Sequence, residues 1–121
     1  TINIMISLNI SLPSAIMTRA IITITEGKTA ALQDLGIADV NNGLPATGTG
    51  TDGITLITDP DAPRYTDAGT FSVLGSLLAS AAYETVRECL ELYDKPWNRD
   101  DSLATPPAVD LSRLRNKECG H

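Results

Sequence analysis

Residues 2–10 set Ile2, Ile4, Ile6, Leu8 and Ile10 in alternation with Asn3, Met5, Ser7 and Asn9, the period of two expected of a β-strand with one face on a core. Pro13 then opens a different pattern. Met17, Ala20, Ile21, Ile24, Ala31, Leu32 and Leu35 fall on one helical stripe, with Gly36 as the stop signal, so residues 13–35 are predicted as one helix. A strand that runs straight into an amphipathic helix restricts the chain to packing β against α.

The same order repeats. Residues 36–51, GIADVNNGLPATGTGT, hold four of the nine glycines and read as loop, and Ile54, Leu56 and Ile57 mark a second strand ending at Thr58. After a loop over 59–69, Thr70 is the expected N-cap of a helix running to about Tyr93. Its stripe is Leu74, Leu77, Leu78, Ala81, Cys89 and Leu92, with Arg87 and Glu91 as an exposed pair. The fold class is therefore α/β, a small strand-helix-strand-helix unit. Two strands are fewer than a stable sheet needs, so the unit is expected to be half of a larger sheet-containing fold, completed by a missing N-terminal half or by another chain in a homo-oligomer. Residues 1–94 form this unit. Residues 95–121, rich in proline and mixed charge, read as a loosely packed tail.

Composition narrows the function. A net charge of −6 removes the electrostatic basis for gripping nucleic acid or an anionic membrane. The apolar stretch from Ile2 to Ile24 is interrupted by Asn3, Asn9, Pro13 and Arg19, which argues against a membrane span or secretion signal. Cys89 and Cys119 make no disulfide framework and no CxxC site, as fits a cytoplasmic protein. Aromatics are only 4%, so the core must be built from Ile, Leu, Val and Ala. The lone histidine, His121, ends the chain, which excludes Ser/His/Asp and Cys/His catalysis within the folded body. Cys119 and His121 read as a terminal segment, and no metal site is expected. GTGTDG at 48–53 matches G-x-G-x-x-G literally, but a strand follows it where a dinucleotide site requires a helix.

Three groups of residues could carry chemistry. Thr47, Gly48, Thr49, Gly50, Thr51 and Asp52 combine glycines that let N–H groups converge on an oxygen-rich ligand, hydroxyl donors, and a carboxylate that is a base or an acceptor. The same residues are also what a flexible turn capped by Asp52 needs. Lys28 lies on the apolar stripe, where a cation is costly unless paired. A carboxylate on another element, such as Asp52, would pair it. Otherwise the side chain reaches past the stripe to solvent. Arg19, Thr23 and Glu26 share a face that is either a polar lining or simply the solvated side. Gly27, mid-helix, suggests a close approach. Finally, Tyr65, Thr66, Gly69, Thr70 and Ser72 surround a helix start, as an anion or amide-oxygen site or as ordinary caps.

The segments TINIMISLNISL, ITITEGKTAALQDLG, PATGTGTDGI and YTDAGTFSVLG resemble the adenosylcobinamide amidohydrolases of corrinoid salvage over about residues 1–90. The pairing of TE-x-KT-x-AL with ATGTGTD is the specific feature. The resemblance implies hydrolysis of the amide joining aminopropanol to a propionate side chain of the corrin, giving adenosylcobyric acid, with this chain as the C-terminal half. It implies a corrinoid small-molecule substrate and no cofactor, cobalt entering only as a constituent of that substrate. Amide hydrolysis needs a base or nucleophile, an oxyanion donor and an acid for the leaving amine. Asp52 or Glu26 is the candidate base and Lys28 the stabiliser or acid. Thr47, Thr49 and Thr51 with the N–H groups of Gly48 and Gly50, and Thr70 with Ser72, are the substrate contacts. The first residue is Thr1, as expected of a fragment, a trimmed chain or a processed product. In the last case its hydroxyl and amine are an alternative nucleophile and base. Where the resemblance leads one to expect A-G-T-H-S, this chain has Phe71 before Ser72. If that histidine moves protons, the chain is an impaired enzyme, a non-catalytic corrinoid-binding module, or a structural half of a two-chain assembly.

Overall fold

The computed structural model describes residues 1–93, and the elements run β1 (Asn3–Leu8), α1 (Ser14–Asp34), β2 (Gly53–Thr58) and α2 (Val73–Tyr93). The expected tail over 95–121, with Cys119 and His121, lies outside the described residues. β1 and β2 pair in parallel, Asn3 opposite Gly53 through Leu8 opposite Thr58, with α1 as the crossover that a parallel pair requires. This is the α/β unit expected from the alternation and the two stripes.

β1 is shorter than the alternating run. The pattern extends over 2–10, but the ladder lasts only as long as its six-residue partner. Beyond it the chain bends at Asn9 and Ile10 and bonds to the next loop, where the Asp59 N–H donates to the Ile10 carbonyl and the Ser11 N–H to the Pro63 carbonyl. α1 starts after Pro13 and ends in a Schellman motif. The Ile37 N–H bonds to the Leu32 carbonyl and the Gly36 N–H to the Gln33 carbonyl, with Gly36 at φ +66°, a left-handed conformation that glycine adopts without a Cβ penalty.

The core lies between the helices and one face of the sheet. Leu12, Ala20, Ile24, Ala68, Leu74, Leu78 and Ala82 are buried, and the inward side chains Ile4, Ile6, Leu8, Ile54 and Leu56 pack on them. The two helices meet at Gly27, where a Cβ would overlap the backbone carbonyl of Ala79. The glycine is thus a contact point, as its mid-helix position suggested. Gly75 makes a second close approach, flush against the carbonyls of Gly69 and Ala68.

Three expectations are corrected. The cap of α2 is Ser72 rather than Thr70: its Oγ accepts from the Gly75 N–H at 3.0 Å, while Thr70 is exposed to solvent. The lower end of the α2 stripe is also displaced. Ala82 and Val86 are buried while Cys89 and Leu92 are exposed, because α1 ends at Asp34 and covers α2 only on the side that Gly27 touches. Thr23, assigned by the wheel to a polar face with Arg19 and Glu26, is completely buried. Its hydroxyl donates to the Ala68 carbonyl at 2.7 Å, so a short polar side chain with one well-placed acceptor sits in the core at little cost.

Candidate functional site: a threonine-glycine loop fastened to a helix

Lys28 reaches across from α1 to the start of β2, and its Nζ stands 2.6 Å from Asp52 Oδ2. Both side chains are largely shielded from solvent, and Lys28 as a whole is 7% exposed. An amphipathic helix would not place a cation here unless something opposite matched it. The match is Asp52, at the residue where the loop becomes strand.

Asp52 is a hub. Besides Lys28, its carboxylate accepts from the Ile2 N–H at 2.9 Å, the Thr49 N–H at 2.8 Å and the Thr49 hydroxyl at 2.5 Å. Burial by itself would push its carboxyl upward. The donors from Lys28, from the Thr49 hydroxyl and N–H, and from the Ile2 N–H outweigh that and hold it far below the usual carboxylate range. Asp52 is therefore an anion tying together β1, β2, α1 and the loop.

Gly48 is the piece that lets the loop lie down. A Cβ at this position would fall 2.6 Å from both Lys28 Nζ and Asp52 Oδ2, so a larger residue would displace the ion pair. Around it the Thr29 hydroxyl donates to the Thr47 carbonyl at 3.0 Å. Thr51 and Thr1 bring their hydroxyl oxygens to 2.5 Å from each other. Thr47, Gly50 and Thr51 remain exposed and Thr49 is exposed too, while Gly48 is half-buried, so the loop surface is accessible while the backbone is fixed from below.

The other expected site residues stand elsewhere. Glu26 is exposed on the opposite side of α1, beside a shallow groove lined by Ile22, Thr25, Thr29 and Ala30. A two-residue offset from Lys28 turns it about 200° around the helix. Thr70 and Ser72 follow the carboxyl end of β2, whereas Thr47–Asp52 precede its amino end. Gly69 lies against the Arg19 guanidinium, and Arg19 is nine residues from Lys28, roughly 13 Å along the helix axis. The structure thus unites Lys28, Gly48, Thr49 and Asp52. It leaves Glu26, Thr70 and Ser72 outside that cluster. The residue overlooked from sequence is Ile2, whose backbone N–H is invisible to any reading of side-chain types.

Phe71 is fully exposed at the loop before α2. No group of three or more His, Cys, Asp or Glu side chains is placed to hold a metal ion among the described residues. No helix among them is long and apolar enough to cross a membrane.

Comparison with known proteins covers this whole arrangement. The chain is 41% identical over 97 residues to an uncharacterized protein of Methanocaldococcus jannaschii, a match spanning 78% of this chain and 37% of that protein. The chain therefore spans little more than a third of the curated relative. No solved structure matches it. A family profile for adenosylcobinamide amidohydrolase matches residues 1–97, which include both strands, both helices and the loop with its ion pair. The chain belongs to the adenosylcobinamide amidohydrolase family.

Proposed function

We propose that the Thr47–Thr51 loop contributes to the substrate site of an enzyme that cleaves the aminopropanol amide of adenosylcobinamide, giving adenosylcobyric acid in corrinoid salvage. The observation that carries this is the loop itself: exposed hydroxyls and N–H groups on a backbone pinned beneath by Lys28 and Asp52, within the residues that match an amidohydrolase family. In the reaction water adds to the amide carbon, the C–N bond breaks, and a proton goes to the departing nitrogen. The carbonyl oxygen becomes negative on the way. Preorganised donors at that oxygen stabilise the transition state without reorganising, and a loop fixed from below suits that task.

The geometry favours a particular division of labour. Asp52, engaged by four donors and held strongly ionised, is a poor proton acceptor, so it serves as a positioning residue rather than a base. Lys28 acts through it, and its field adds to oxyanion stabilisation. Glu26 retains a free approach from solvent but faces away from the loop. The general base is therefore assigned to a group outside the Lys28–Asp52 cluster. The substrate is a cytoplasmic corrinoid small molecule, and its cobalt belongs to it.

A second reading has its own support. Phe71 stands fully exposed where the resemblance implies a histidine, and no histidine occurs before residue 121. This favours a corrinoid-binding module without turnover. Incubation with adenosylcobinamide separates the two. Release of aminopropanol supports hydrolysis; a spectral shift without release supports binding alone, and Phe71→His would then restore turnover to an inactivated enzyme.

A further inference from the structure

Among the described residues the parallel sheet is covered on one face only. Met5 is 73% exposed and Ile57 47% exposed. They share the outer face with Asn3, Ser7 and Thr55, because Met5 stands opposite Thr55 and Ser7 opposite Ile57. That is unusual for a parallel pair, since parallel sheets are normally buried on both sides.

The edges are equally open. Strands left at the edge of a sheet normally carry a lysine, another charge, a proline or a bulge that prevents pairing with a further chain. NIMISL and GITLIT contain no charged residue and no proline, although one residue in five of the chain is charged. Among the described residues β1 and β2 pair only with each other, so each leaves one edge free of those residues for another strand.

We infer that both edges and the outer face of the β1–β2 sheet are an interface for a strand-forming polypeptide equivalent to the portion of the longer relative outside the match. The relative has the material, because the match takes up only 37% of it. A second copy of this chain fits less well. A two-fold copy pairing edge to edge would use one edge and leave the other free. The occupant supplies alternating strands whose apolar side chains meet Met5 and Ile57.

Cysteine accessibility tests this. In a Cys89→Ser, Cys119→Ser background of the 121-residue chain, Met5→Cys and Ile57→Cys are labelled by a maleimide, alone and after co-expression with the unmatched portion of the M. jannaschii relative. The inference expects a complex in which labelling at both positions slows at least about tenfold, as for groups that react only on local opening, while Phe71→Cys labels at an unchanged rate. Unchanged labelling inside the complex, or absence of any complex, overturns it. Slowing that depends on the concentration of the chain alone identifies a second copy and overturns it as well. If the chain alone aggregates, Met5→Lys with Ile57→Lys must yield a monomer of unchanged helical circular dichroism; persistence of aggregation overturns the inference.

Discussion

α1 buries two polar side chains, and each fastens one loop. Thr23 holds the loop after β2 through a neutral hydrogen bond to the Ala68 carbonyl; Lys28 holds the loop before β2 through an ion pair to Asp52. The first loop is further locked by backbone contact, with Gly75 flush against Gly69, and by the Ser72 cap. The second has no comparable backbone contact and is held by one carboxylate with its four donors and by the Thr29 hydroxyl bonded to the Thr47 carbonyl. Charge therefore fixes the threonine-glycine loop and close packing fixes the other. The two should respond differently to the same perturbations.

The largest effect is expected where packing leaves no slack. Gly75→Ala drives a methyl group into the Gly69 and Ala68 carbonyls, neither of which can move without unseating α2. A loss of about 3 kcal/mol or more is expected from such overpacking, read as a lowered midpoint of thermal unfolding. Asp52→Asn comes next. It leaves Lys28 shielded and unpaired, with an expected loss of about 3 kcal/mol for a broken buried pair. Lys28→Met should cost less, because Asp52 keeps its Thr49 and Ile2 donors. A larger loss from Lys28→Met than from Asp52→Asn in denaturant titration would show that Asp52 is not the hub. Thr23→Val removes one neutral bond and should cost about 1 kcal/mol.

Acid sharpens the contrast. The Asp52 carboxyl is held below its ordinary value near 3.8, so its contribution to stability is complete above that value and is lost as pH falls beneath it. The wild type should therefore lose stability below about pH 4 more steeply than Asp52→Asn. Thr23→Val should keep the wild-type slope. Equal slopes for wild type and Asp52→Asn would show that charge does not hold the loop.

Several of these features were legible in the sequence. The Ile2–Ile10 alternation specified a strand because its period has no helical counterpart. Lys28 was visible as a cation on an apolar stripe that had either to pair, with Asp52 as one candidate, or to reach past the stripe to solvent, and the ion pair decides for the first. Gly27 was visible as a costly residue, one that suggested either a close approach or a tolerated weakness, and contact with Ala79 decides for the first. Other features depended on distant backbone. Thr23 reads as polar on any wheel, and only the Ala68 carbonyl, 45 residues away, makes it a core residue. The exposed Cys89 and Leu92 continue the α2 stripe in sequence but have no helix opposite them among the described residues, because α1 has already ended. Ile2 contributes an N–H that every residue but proline carries. The separation of Glu26 from Asp52 follows from which side of α1 meets the sheet.

If the loop held by Lys28 and Asp52 receives adenosylcobinamide, loosening it at Asp52 must weaken binding. Titration of the folded wild type, Asp52→Asn and Thr23→Val with adenosylcobinamide, followed through the corrin absorbance, tests it most directly. The expected result is binding by the wild type, at least about tenfold weaker binding by Asp52→Asn, equivalent to about 1.4 kcal/mol, and unchanged binding by Thr23→Val. Binding by Asp52→Asn as tight as that of the wild type, or an equal loss in both variants, would contradict it.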